Sequence, residues 1–298
     1  MASSHYTIVI ISLLLLHTFQ GKGVIRCATF TFVNKCSETI WPAILGSPKL
    51  ESTGFQLPQA TSRPFQAPTG WSGRFWGRTG CTFDQSGRGS CTTGDCGSGE
   101  MECNGAGATA ATLAEFTLGS GSMDFYDVSL VDGYNLPVMV DASGGSGQCA
   151  STGCMEDLNK KCPAELRIEA GGACRSACDA FNTAEYCCKG EHGSPSTCRP
   201  SVYSQIFKSA CPKSYSYAYD DATSTFTCTA ADYVITFCPS LPSKKSAKSA
   251  NDTTNTTNGS DSGSGTESDG SGSVQEAILA DGSCSSTFAI VNIHWLVE

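Results

Sequence analysis

The chain has 298 residues, of which only 16% are charged, with 32 glycines and 18 cysteines. Its formal net charge of −9 excludes the clustered Lys and Arg that nucleic acid or an anionic lipid surface requires. So many cysteines exclude a reducing compartment and call for disulfides in a secreted protein.

The first element is IVIISLLLL at 8–16, a nine-residue apolar run of signal-peptide length and too short to span a bilayer. A buried strand is the competing reading, but a strand-like segment, ATFTFVN, follows at 28–34. Residues 1–27 are therefore expected to be a signal peptide cleaved before Ala28, with Cys27 the last residue removed. Loss of Lys22 and Arg26 leaves 17 basic and 28 acidic residues, a net of −11. An acidic chain of this kind suits neutral sugars or cationic ligands, and net charge alone does not choose between them.

The folded body is expected over 28–239. Short β-rich runs recur at 28–34, 112–118, 123–131, 135–142 and 225–238, separated by Gly, Pro, Ser and Asn clusters. That pattern predicts a mainly β fold, a sandwich or a barrel. One helix is predicted within 199–212, where Val202, Ile206, Phe207 and Ala210 recur at helical spacing. Cysteines concentrate between Cys149 and Cys211, in a stretch poor in alternating strands. This reads as a loop-rich subdomain held by cross-links because it lacks the apolar residues for a core of its own.

Beyond Pro239 the composition changes. Residues 240–273 are rich in Ser, Gly, Asn and Thr and hold no aromatic residue, so they are expected to be a disordered linker. Three glycosylation sequons fall there, at Asn251, Asn255 and Asn258. The tail, 274–298, ends FAIVNIHWLVE, and a polar linker before a hydrophobic tail is the layout of a GPI-attachment signal. Small-residue sites at 268–273 or 282–285 would serve for attachment. A tail with no targeting role is the alternative.

Residues 87–103 read GRGSCTTGDCGSGEMEC. This matches the signature G-x-G-x-C-x-T-G-D-C, and the chain thereby resembles the thaumatin-like, pathogenesis-related family that includes osmotin. The resemblance continues through NKCSETIWPAIL at 34–45, GWSGRFWGRTGC at 70–81, DFYDVSLVDGYNLPV at 124–138, CRSACDAF at 174–181 and YSYAYDDATSTFTC at 215–228, and covers essentially all of 28–239. It implies a β-sandwich core with the disulfide-rich subdomain at about 149–211.

The resemblance also implies eight disulfides: Cys36–Cys238, Cys81–Cys91, Cys96–Cys103, Cys149–Cys228, Cys154–Cys211, Cys162–Cys174, Cys178–Cys187 and Cys188–Cys198. Spacing alone does not choose this connectivity. Cys284 is then the odd cysteine once Cys27 is removed. No Cys/His cluster has metal-ligand spacing, so neither a metal nor a cofactor is expected.

Members of the family line a cleft with one Arg and four acids. The matching positions are Arg74, Glu115, Asp127, Asp132 and Asp220, with the adjacent Asp221 an equal alternative for the last. Ala222 stands where the family commonly has Pro, which loosens that loop. Carboxylates pair with sugar hydroxyls as acceptors, and Phe125, Tyr126 and Tyr134 are candidates for stacking on glucose rings. What the resemblance implies is a secreted, apoplastic plant defence protein, monomeric and antifungal, that binds β-1,3-glucan or a related wall polysaccharide at the fungal surface. Two alternatives stand beside it. One is a weak endo-β-1,3-glucanase using Glu115 and Asp127; the other is a wall-binding or signalling module tethered at the outer plasma membrane.

Overall fold

The structure is a computed structural model that describes residues 27–105, 107, 110–168 and 172–239. The expected signal segment at 1–26, the linker 240–273 with its three sequons, and the tail 274–298 with Cys284 lie outside these residues. Cys27, expected to leave with the signal peptide, opens the first strand and stands opposite Pro68.

In chain order the strands are β1 (Cys27–Asn34), β2 (Trp41–Ser47), β3 (Ser62–Pro68), β4 (Ser72–Arg78), β5 (Thr82–Phe83), β6 (Gly89–Ser90), β7 (Leu113–Thr117), β8 (Asp124–Ser129), β9 (Val138–Ser143), β10 (Thr152–Cys154), β11 (Arg167–Ile168), β12 (Ala173–Cys174), β13 (Phe226–Cys228) and β14 (Asp232–Phe237). Two five-stranded sheets result, in the orders β10-β9-β14-β1-β3 and β13-β8-β7-β4-β2. All their pairings are antiparallel except β1 with β14.

Alternation explains the sandwich. Along β1, Ala28, Phe30, Phe32 and Asn34 are buried while the residues between them are half-buried. Phe30 reaches across the sheets to rings from both, with centroids 4.8 Å from Phe116, 4.9 Å from Phe75 and 5.5 Å from Tyr233. Strands β2, β3 and β4 escape the sequence reading because Pro42, Pro64, Gly73 and Gly77 interrupt their alternation. The run at 225–238 is two strands, one in each sheet, rather than one.

Among the described residues, eight disulfides join the same pairs that the resemblance implies. Cys36 and Cys238 follow the ends of β1 and β14, whose last paired residues are Asn34 and Phe237. The bridge therefore clamps the one parallel pair in the two large sheets, formed by the first and last strands.

The cross-linked lobe does have a small core, contrary to expectation, completed by two residues from outside it. Leu158, Leu166 and Phe207 pack with Leu130 and Tyr134, which come from the sheet side, and with Cys154, Cys162, Cys174 and Cys211. Helix α1 (Ala177–Phe181) and α2 (Ala184–Cys187) are single turns capped by Ser176 and Thr183. Helix α3 (Val202–Ala210), capped by Ser201, is the predicted helix. Its buried face runs through Ser204 and Phe207, whereas Val202 and Ile206 are exposed, because Phe207 is the side chain that reaches the half-cystine cluster.

The signature segment has a structural role. Asp95 accepts from the backbone of Cys91 and Gly97, Trp76 donates to the Gly94 carbonyl, and the fully buried Arg78 donates to the carbonyls of Trp41 and Met101. These bonds fold residues 79–103 onto one face of the β4 sheet, beside the groove rather than inside it.

Candidate functional site

The second sheet buries one face against the first and leaves part of the other open. Register places Arg74 of β4 opposite Glu115 of β7, and Glu115 opposite Asp127 of β8. Because residues two apart share a face, Phe125 and Thr117 stand beside this row. Together they line a 650 Å³ cavity.

Asp132 and Asp221 close the row from the other side, lining a 390 Å³ cavity with Arg74, Glu115, Asp127 and Tyr215. Asp132 sits in the turn after β8, with an Oδ2 3.4 Å from Arg74 Nη1. The turn is fixed by Gly133, whose φ of +107° and closeness to the Cys174 carbonyl leave no room for a side chain. Tyr134 and Cys174 exchange backbone hydrogen bonds, tying the turn to the lobe. Asp221 begins a helical turn, α4 (Asp221–Ser224), and accepts from the Tyr215 hydroxyl at 2.9 Å.

Asp220 is the one acid of the expected set that the fold turns away. Its Oδ2 lies 2.9 Å from Lys208 Nζ and accepts from both the backbone and the hydroxyl of Ser216. It staples α3 to the 214–224 segment, and of the two adjacent acids Asp221 is the one that lines the groove. Tyr126 and Tyr134 are also corrected. Both are buried, in the sandwich core and in the lobe core, with hydroxyls bonded to the carbonyls of Ala150 and Glu156. Phe125 alone of the three rings is open to the groove, at 46% exposure. Alternation was the signal for Tyr126: it neighbours Asp127 on one strand, so the two point to opposite faces.

The acids are not equivalent. Burial pushes the Asp127 carboxyl up to about 8, helped by the negative charges of Glu115 and Asp221, and its Oδ1 has no hydrogen-bond partner. Burial also raises Glu115, but Arg74 opposes the shift, with Nη1 3.9 Å from Oε1, while Asp132 adds to it. The row therefore sets the Arg74 guanidinium beside a carboxyl whose rise it opposes, and that carboxyl beside one that stays protonated at neutral pH. Such a row offers a sugar hydroxyl both acceptors and a donor. Ser129, which lines the groove beside Glu115, and Tyr215, whose hydroxyl donates to Asp221, are groove residues absent from the sequence-based set. Among the described residues, no group of three or more His, Cys, Asp or Glu is arranged to hold a metal ion.

The sequence profile of the Thaumatin family matches residues 34–239. A thaumatin-like protein 1 of Arabidopsis thaliana is 61% identical over 246 residues, covering 78% of this chain and 94% of that protein. A pathogenesis-related thaumatin-like protein 3.5 of Cryptomeria japonica is 62% identical over 218 residues, 71% of this chain and 90% of that one. Pathogenesis-related protein 5 of Arabidopsis thaliana is 55% identical over 228 residues, with 74% and 95% covered.

Proposed function

This chain belongs to the Thaumatin family, and from that premise we propose that it is a secreted defence protein whose acidic groove binds β-1,3-glucan of fungal walls. Similarity to pathogenesis-related proteins supports the defence role, and eight disulfides support an oxidising, extracellular setting. One observation carries the choice of ligand: the cross-strand row Arg74, Glu115, Asp127, flanked by Asp132, Asp221 and the open ring of Phe125. Carboxyl groups in both protonation states bond hydroxyls, and an aromatic face takes the apolar side of a sugar ring. A neutral polymer also meets no repulsion from the acids. The test is a laminarin pull-down run beside a reducing-sugar assay on one pure sample. Retention without release of reducing ends supports binding; failure to be retained rejects it.

A second reading, a weak endo-β-1,3-glucanase, is favoured by the unequal pair. Glycoside hydrolysis needs one carboxylic acid and one ionised partner. Asp127, protonated by burial, would be the acid, and Glu115, beside Arg74, the ionised partner. That order reverses the simplest assignment, in which the Glu is the acid. Release of reducing ends that disappears in Asp127→Asn would establish this second reading.

A further inference from the structure

Asp132 lines two cavities. One is the carboxylate groove; the other, of 610 Å³, opens into the cross-linked lobe and shares Val131, Asp132 and Ala218 with the first. The groove thus continues on both sides of the acids, toward Phe125 over the sheet and toward Tyr186 and Tyr217 over the lobe. The lobe arm is walled by rings and hydroxyls, among them Ser176, Ser201 and Tyr203, with Asp179 and Lys189 of opposite charge. A lining with little net charge, rich in groups that both donate and accept, fits a neutral polyhydroxylated ligand better than an anion or an apolar one.

The Tyr186 ring is held in place before any ligand arrives. Tyr186 lies 5.4 Å from Phe181 and 5.7 Å from Tyr203, whose hydroxyl donates to Glu165 at 2.9 Å. Tyr186 lies inside the small loop closed by Cys178–Cys187, and Cys188–Cys198 closes the next. A preorganised platform loses little side-chain freedom on binding.

We propose that the lobe cavity is an extension of the sugar site, so that the protein grips an interior stretch of a neutral β-linked glucan, stacked on Tyr186 and Tyr217 beyond Asp132. This rests on the glucan reading of the carboxylate row. A site that took only a chain end would stop at the acids; here the groove runs past them in both directions.

The test is calorimetric titration with laminarin-derived oligosaccharides of increasing length, for the wild type, Tyr186→Ala, Tyr217→Ala and Tyr186→Phe. Affinity should keep rising with length. Each Ala variant should bind long oligosaccharides about ten-fold more weakly, as loss of one aromatic platform implies, and short ones as the wild type does. Tyr186→Phe keeps the ring and should bind normally. Tyr217 lies on a separate segment, so a misfolded Tyr186 variant leaves its result standing. If affinity stops rising at short lengths, or both Ala variants bind long chains normally, the extension is wrong. The carboxylate row survives that outcome provided Asp127→Asn or Glu115→Gln weakens short-chain binding. If the wild type binds no glucan of any length, both readings fall.

Discussion

Glu115 and Asp127 face each other on neighbouring antiparallel strands, yet only Glu115 has a cation beside it. Cross-strand neighbours have Cβ atoms about 4.5–5.5 Å apart, so two ionised carboxylates here would repel strongly. Burial raises both carboxyls; Arg74 opposes that rise at Glu115 alone, while the charges of Glu115 and Asp221 add to it at Asp127, which stays protonated at neutral pH.

Asp127 should make both stability and binding depend on pH. Its folded pKa, about 8, lies above the unfolded value near 3.9. Its contribution to stability is therefore full below about pH 4 and is lost as pH rises through about 8. Urea melts between pH 5 and 9 should show wild-type stability falling toward the alkaline end. Asp127→Asn should flatten that fall, and glucan affinity should lose its alkaline change in the same variant. A fall that persists in the amide variant assigns the effect to another group.

Arg74→Ala should act on the site more than on the fold. Its two ion pairs, at 3.4 and 3.9 Å, are partly exposed and each contributes at most about 1 kcal/mol. Without the cation, Glu115 should titrate higher, because the larger of the two influences opposing burial and the Asp132 charge is gone. Carboxyl NMR titration checks that shift. Glucan binding should weaken, and more at low salt than at high salt.

Asp220→Asn and Asp221→Asn should part company despite their adjacency. Asp220 bonds Lys208 and Ser216, so its loss should reduce stability by roughly 1–3 kcal/mol while leaving glucan affinity intact. Asp221 is exposed and lines the groove, so its amide should lower affinity with little change in the melt. The reverse pattern would exchange their roles.

Gly133→Ala should damage the groove from outside it. The position has a φ of +107°, and a Cβ would stand 2.6 Å from the Cys174 carbonyl and 2.8 Å from Ala110. Strain of about 1–3 kcal/mol is expected, relieved by moving the turn that carries Asp132. Reduced glucan affinity together with a lower melting temperature is the expected result.

Removing bridges should destabilise in the order of the loops they close. The Cys36–Cys238 link spans 202 residues and Cys81–Cys91 only 10. In the chain-entropy model these contribute roughly 5 and 3 kcal/mol respectively. Paired Cys→Ala variants, melted without reductant, measure the difference directly.

The sequence by itself determined the mainly β character, because alternation and turn residues set which short runs extend. It also carried the signature segment, and through the resemblance the disulfide pairs and the row of charged residues at Arg74, Glu115, Asp127 and Asp132. Three things were decided only by tertiary structure. Strands β2, β3 and β4 follow no clean alternation, and their pairing depends on neighbours distant in the chain. Asp220 and Asp221 are adjacent and chemically alike, and only the position of Lys208 on α3 draws one of them out of the groove. The protonation of Asp127 belongs to no residue type, since an exposed Asp ionises near pH 4. It arises because β7 and the 215–221 segment flank β8, so that burial disfavours the charged form and two negative charges, those of Glu115 and Asp221, stand beside the carboxyl. Local pattern fixes which residues can share a face; charge state and partner depend on burial and distance, which exist only once the chain has folded.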